Sequence, residues 1–351
     1  MLRTIFVSFF DTFEFVNHFL KELIMKRKIG SSNVEITPVT MGAWAIGGWM
    51  WGGNEEKDSI AAIHAYIDNG VTSIDTAPVY GFGYSEELVG KAVKGFSRDK
   101  IEILTKFGMV WDIEKGDFSV EAKDNQGNPL KIYRYAGYDK IISDVELSLK
   151  RLQTDYVDLI QLHWPDTTTP IEETMRAMEK LLQDGKTRAI GVCNYKATQL
   201  AEAEQTVKLH SNQVPYSMLR RHIEADVVPY ALEHHLSIIA YSPMERGLLT
   251  GKYKGGEKFN EGDHRSSYFG RFNKDKVDTL LQHLSKLAPK YNASISQLAM
   301  AWVFHQPAVV TALAGARNAQ QAEQNARAMQ INISEEDLIL MRTWLPEQVY
   351  V

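Results

Sequence analysis

The sequence predicts an α/β fold, a closed parallel (β/α)8 TIM barrel with long loops on its catalytic face, and three observations carry that prediction. From about residue 38 onward, eight short apolar or β-branched runs alternate with amphipathic segments. Several runs break at their C-terminal ends into polar residues able to do chemistry, which is where a parallel barrel keeps its active site. No run leads into the GxGxxG phosphate loop that would favour the alternative, an open doubly wound sheet.

In chain order the strand candidates are ITPVTMGAW (36–44), TSIDTA (72–77), IEILTKF (101–107), VDLIQLH (157–163), AIGVCN (189–194), SNQVP (211–215), SIIAYSP (237–243) and VVTALAGA (309–316). Helical patterns between them cover Asp58–Asp68, Ser85–Val93, Tyr138–Arg151, Pro170–Leu182, Ala197–Leu209, Ile223–His234 and Lys274–Lys290. Ser85 ahead of Glu86 and Glu87 reads as an N-cap with acids in the first turn. Gly70 and Gly185 follow their helices as C-terminal caps. The Gly81-Phe82-Gly83 triplet lacks a third glycine at dinucleotide-loop spacing and is given a turn role. Two segments, Trp111 to Ala136 and Gly247 to Phe272, read as long irregular loops, and loops of that length in a compact domain are usually functional or mobile.

Composition narrows the class of protein. A net charge of −5 gives no electrostatic reason to expect nucleic acid as a partner. The single cysteine, Cys193, excludes an intramolecular disulfide and a thiolate metal cluster. No apolar run approaches the roughly 20 residues that span a bilayer, so the expectation is a cytoplasmic protein with no membrane partner. Residues 1–24 are aromatic-rich, but Asp11, Glu14 and Asn17 interrupt them too early for a signal-peptide core. They read as a tail or short helix ahead of one barrel domain spanning 25–351. Oligomeric state is not legible.

Asp75, with Tyr80 in the turn that follows it, Lys106 and His163 stand at or just beyond the ends of three apolar runs. A free tyrosine, with a pKa of about 10, is a poor acid–base catalyst near neutrality. An ammonium beside it stabilises the phenolate, and a carboxylate beside the ammonium holds that charge in place. Lys106 and Asp75 can fill those parts for Tyr80, while His163 can hydrogen-bond a carbonyl oxygen. Protonating that oxygen while hydride reaches carbon suits the set, and hydride requires a nicotinamide or flavin.

The residues IDTAPVYGFGYSEELVGKAV (74–93), LTKFG (104–108), TDYVDLIQLHWPD (154–166), GVCNY (191–195), AYSPMERGLLTGKY (240–253) and GARNAQQAEQN (315–325) make the chain resemble the aldo-keto reductase superfamily over nearly everything from Lys26 onward. The resemblance implies a (β/α)8 barrel that reduces aldehydes or ketones with NADPH, without metal or flavin. It implies Tyr80 as proton donor, Lys106 and Asp75 tuning it, and His163 orienting the substrate carbonyl. It also implies Asn194 and Gln213 on the nicotinamide carboxamide, with Cys193 and Ser242 beside them, and Tyr241 stacked on the ring. Gly247, Leu248, Thr250 and Lys252 would serve the pyrophosphate. Gly315, Arg317, Gln321, Gln324 and Asn325 would surround an adenosine 2′-phosphate, which favours NADPH over NADH. The family commonly has serine where this chain has Cys193, a weaker hydrogen-bond donor; a looser carboxamide grip and sensitivity to oxidants are expected from it.

Trp44, Trp49, Trp51, Met109, Trp111 and Trp164 are expected to wall the substrate pocket. The resemblance implies a small carbonyl substrate, with aldehydes favoured over bulky ketones. Its identity rests on the loops after Trp44, Met109 and Gly247. Two other functions are compatible with a barrel. Metal hydrolysis on a barrel would want paired histidines at strand ends, and the early strands offer no His-x-His. An NADPH-binding regulatory subunit, such as the potassium-channel β subunits that resemble these enzymes, would show slow turnover and tightly retained cofactor.

Overall fold

The computed structural model describes residues 26–253, 259, 263–347 and 349–350, with nothing said of the Ser266 side chain. Residues 1–24, expected to form a tail or short helix, lie outside the described residues.

All eight predicted runs become strands of one closed parallel barrel. In circular order these are β3 (Val39–Gly42), β4 (Ser73–Asp75), β5 (Glu102–Phe107), β9 (Leu159–Leu162), β10 (Ile190–Cys193), β11 (Ser211–Pro215), β12 (Ser237–Tyr241) and β13 (Val309–Ala314), which closes back on β3. The closing register pairs Ala312 with Val39 and Leu313 with Thr40. Every residue of β4, β5, β9, β10, β11 and β13 is buried. That is why these strands read as continuous apolar runs rather than alternating ones.

The intervening numbers belong to small sheets that the sequence did not announce. β1 (Arg27–Lys28) and β2 (Glu35–Ile36) form an antiparallel hairpin. Its Ile29, Val34 and Ile36 pack with Leu104, Leu159, Ala189, Ile239 and Val310 in one buried cluster. Gly30 donates to the hydroxyl of Ser237, the first residue of β12, at 2.8 Å. The hairpin therefore stoppers the N-terminal end of the barrel and leaves the C-terminal rim open.

The segment Trp111 to Ala136, expected to be irregular, is largely sheet. β6 (Met109–Val110), β7 (Asp117–Lys123) and β8 (Pro129–Arg134) make a three-stranded antiparallel unit in the order β6-β8-β7. β7 alternates between part-buried and exposed positions along most of its length, so its polar residues lie on a solvated sheet surface. In the second long segment, Glu245–Thr250 is a distorted 3-10 stretch and Arg265–Tyr268 a short helix; residues 254–258 and 260–262 lie outside the described residues.

Helix boundaries differ from expectation where caps decide them. The helix Tyr84–Val93 is N-capped by Gly83 at φ 99°, not by Ser85. Ser85 is buried and bonds the carbonyl of Ala43 at 3.0 Å and the hydroxyl of Thr76 at 2.9 Å. The Ala197 helix stops at Ala203. The pattern from Ile223 divides into a 3-10 turn, His222–Glu224, and a helix, Val227–His234, whose first amide is capped by Asp226. Gly70 and Gly185 sit at φ 81° and 69°, as expected of residues just past a helix end.

Candidate active site

The period of two along each strand builds the site. Leu104, Leu159 and Ile239 fill the barrel interior in the lower buried cluster. Two residues further along, on the same face, stand Lys106, Gln161 and Tyr241. His163 follows Gln161 by the same step.

Lys106 is fully buried, and its Nζ lies 2.5 Å from Oδ1 of Asp75 and 2.8 Å from the carbonyl of Thr76. The other carboxylate oxygen, Oδ2, accepts from Nε2 of Gln213 at 2.8 Å and Nε2 of Gln161 at 3.3 Å. Burial, the largest single effect, pulls the Lys106 pKa down, but Asp75, Tyr80 and Cys193 together outweigh it and the net shift is upward. The ammonium stays charged in a dry setting.

Tyr80 stands over this pair. Lys106 Nζ is 5.0 Å from the centre of its ring, and the His163 ring meets it edge-on at 5.6 Å. The turn that presents Tyr80 runs through three left-handed residues, Gly81, Phe82 and Gly83, at φ 65°, 54° and 99°, which bears out the turn reading of that triplet. A Cβ on Gly81 would come within 2.3 Å of the Gly47 carbonyl oxygen, so only glycine fits.

Burial pushes the Tyr80 phenol up to about 12, against the downward pull of Lys106 and with Asp75 adding to the rise. Lys106 pulls the Tyr80 pKa down as expected, but desolvation is the larger effect, so the net value lies above the ordinary one instead of below it. The phenol is therefore protonated across the physiological range. Burial, reinforced by Lys106, lowers His163 well below 6.5, so its imidazole is neutral. A neutral imidazole keeps one N–H to donate.

These groups open into a cavity of about 860 Å³ at the C-terminal rim. Asp75, Tyr80 and His163 line it, with Lys106 hidden beneath. So do Cys193, Asn194, Gln213, Tyr241, Ser242, Gly247, Thr250, Lys252, Gly315, Arg317, Gln321, Gln324 and Asn325. The structure thus gathers nearly every predicted cofactor residue in one space. Leu248 is the exception: its side chain packs against the hydrophobic core, leaving only its backbone for a ligand. Trp44, Trp49, Trp51, Met109 and Trp164 line the same cavity. Trp111 does not. It faces a neighbouring cavity of about 200 Å³ and packs edge-on against Phe82 at 5.5 Å, because the β6–β8 sheet carries it behind Met109.

Several side chains are already engaged. Asn194, at φ 61°, accepts from the Tyr241 hydroxyl at 3.0 Å and donates to the His163 carbonyl at 3.3 Å. Gln213 gives its amide hydrogens to Asp75 and, at 3.2 Å, to Gln161, leaving Oε1 as the atom available for a ligand. Asn325 donates inward to Tyr66 and Gly315 at 2.8 and 3.0 Å, so it braces the β13 end instead of offering its amide to the cavity. Arg317 bonds the Gly53 carbonyl and takes the Gln321 side chain on its backbone amide at 2.9 Å, ahead of the helix Ala319–Ala326.

Cys193 is buried, and that burial pushes its thiol up, with Lys106 opposing and Asp75 reinforcing the shift. Oxidants act on exposed thiolates. The expected oxidant sensitivity is therefore corrected.

Three residues escaped the sequence reading. Gln161 had a signal, a polar residue two before His163 inside an apolar strand. Arg246 shares its face of the cavity with Trp44, 5.3 Å from that ring, and its Nε is buried without a partner. Arg134 reaches the cavity from β8. Neither arginine was marked by local pattern.

The cavity suits a dinucleotide on its own donor set. Among the described residues that line it, Arg134, Arg246, Lys252, Arg271 and Arg317 face a single acid among them, Asp75, which Lys106 already neutralises. Among the described residues, no cluster of three or more His, Cys, Asp or Glu could hold a metal ion. No helix there is long and apolar enough to cross a membrane.

Comparison with known proteins agrees with this architecture. The profile of the Aldo/keto reductase family matches residues 38–343. The aldo-keto reductase YhdN of Bacillus subtilis is 41% identical over 314 residues, covering 88% of this chain and 90% of that protein. An NADH-specific methylglyoxal reductase of Escherichia coli is 35% identical over 90% of this chain and 97% of its own length. Among solved structures, a glycerol dehydrogenase from Gluconobacter oxydans superposes with a TM-score of 0.81 at 37% identity, covering 92% of this chain and 95% of that one. An aldo-keto reductase from Klebsiella pneumoniae in complex with NADPH gives 0.69 at 28% identity, covering 92% and 97%. The chain belongs to the aldo/keto reductase family, whose members are NAD(P)H-dependent oxidoreductases acting on carbonyl groups.

Proposed function

We propose that this protein reduces small aldehydes, and some ketones, to alcohols with NADPH, Tyr80 delivering the proton. The observation that carries this reading is the placement of Tyr80 between the buried Lys106–Asp75 pair and the neutral His163, on the wall of the rim cavity. Bound in that cavity, the reduced nicotinamide supplies the hydride that no side chain can.

The chain's own residues do the rest. His163 donates an N–H to the substrate carbonyl oxygen and turns it toward Tyr80. The Tyr80 hydroxyl gives that oxygen its proton as negative charge develops there. Lys106 stabilises the phenolate left behind, and Asp75, held by Gln213 and Gln161, keeps the ammonium in place. Asn194 and the Oε1 of Gln213 grip the carboxamide, and Tyr241 fixes the ring face. Cys193 beside them makes that grip looser than serine would.

Arg317 ahead of a helix N-terminus suits a phosphate monoester, which supports NADPH; the Escherichia coli relative shows that NADH is the competing choice. A barrel domain from residue 25, in a cytoplasmic setting, completes the reading. The test is loss of NADPH absorbance with a panel of small aldehydes, run beside NADH. Rapid multiple turnover with NADPH supports it; tightly held cofactor with no turnover contradicts it.

A further inference from the structure

Across the cavity from the proposed cofactor side stands Arg134, a cation that feels the charge of Asp117 but, among the described residues, forms no direct ion pair. Arg134 is the last residue of β8, paired with Met109 on β6 and with Asp117 on β7. Its guanidinium carbon lies 5.1 Å from the centre of the Trp164 ring. Its Nε is buried and has no hydrogen-bond partner. Among the described residues no carboxylate lies within ion-pair distance of it. The acid opposite it, Asp117, spends its oxygens on the amide and hydroxyl of Thr167 at 2.7 and 2.8 Å.

An unpartnered buried donor is costly, and an aromatic face compensates a cation only in part. The topology says what can complete it. The sheet bearing Arg134 follows β5, and in the circular order β5 lies opposite β12. Residues 247–252, expected to serve the pyrophosphate, follow β12, so Arg134 belongs to the substrate side. Trp164 is the next residue after His163, which ties the guanidinium to the group that holds the carbonyl.

We propose that the preferred substrates are aldehydes carrying an anionic group, a carboxylate or a phosphate ester, bound by Arg134 above Trp164 while the carbonyl rests at Tyr80 and His163. This rests on the reductase reading and narrows its substrate class. The guanidinium fork matches either anion bidentately, and the cation-rich lining draws anions inward.

The experiment compares kcat/KM of the full-length protein on matched pairs: succinic semialdehyde against butanal, and glyceraldehyde 3-phosphate against glyceraldehyde. At least one anionic member is expected to be favoured by about 10- to 100-fold, chiefly through KM. The pair showing the larger ratio distinguishes carboxylate from phosphate. In Arg134→Gln that ratio should collapse toward one, and Arg134→Lys should restore part of it. Equal rates within both wild-type pairs overturn the proposal, as does a ratio that survives in Arg134→Gln. Should Arg134→Gln fail to fold, the wild-type ratios and their loss at high salt decide alone. Absence of turnover on all four compounds overturns the reductase reading itself, and this proposal with it.

Discussion

Nε2 of Gln213 lies 2.8 Å from Oδ2 of Asp75, the carboxylate oxygen that Lys106 does not occupy. The buried ion pair is thus part of a larger network, in which Gln161 and Gln213 saturate what the lysine leaves. Removing one partner of a buried pair strands the other. Asp75→Asn should lower unfolding stability by about 3–5 kcal/mol and depress kcat as well. Denaturant titration checks this, and an unchanged midpoint and slope would show that Lys106 does not depend on Asp75.

The pH profile follows from two opposite requirements. Tyr80 must be protonated to donate, and burial has pushed it up to about 12, so reduction should hold through the mildly alkaline range and fail only near that value. His163 must be neutral, and its pKa is lowered well below 6.5, so any acid limb should lie below that point. Its folded value is lower than its unfolded one, so the unfolded chain takes up the proton first. Stability therefore falls as pH drops below about 6.5. A kcat/KM profile with an alkaline fall between pH 7 and 9 would contradict the Tyr80 assignment.

How much of this was legible in the sequence differs by element. The eight barrel strands were, because burial on both faces leaves runs such as EILTKF and VVTALA that only a central strand explains. The tetrad was legible as the polar ends of those runs. The β6–β8 sheet was not: β7 is largely solvent-facing, with polar residues that read as loop. Tertiary packing hid other features. His264 stacks on Trp44 at 5.0 Å although 220 positions separate them in number, and nothing local to either residue says so. Trp111 carried the right residue type for the pocket, yet the path of its backbone turns it into a neighbouring cavity.

Cys193 gives a chemical test of burial. Thiol-specific labelling of the native protein at pH 8 should be slow and should become complete on denaturation, because burial holds the thiol protonated. Fast native labelling would show that the strand end opens. Cys193→Ser should tighten NADPH binding by strengthening the carboxamide contact; equal affinity in the two proteins would remove that role.

Arg317 separates the cofactors. Arg317→Ala should weaken NADPH binding about 10- to 100-fold and leave NADH binding nearly unchanged, since only NADPH carries the phosphate. Fluorescence titration with both reads this directly. A parallel loss for both would place Arg317 in a structural role through its bond to Gly53.

The central claim is that Tyr80 is the proton donor, and single-turnover reduction of an aldehyde by Tyr80→Phe with saturating NADPH tests it most directly. The substitution keeps the ring against His163 and removes only the hydroxyl. The account predicts a fall of about 10²- to 10⁴-fold in the chemical step, with NADPH affinity unchanged. A rate within a few-fold of the wild type would contradict it and assign the proton to another group.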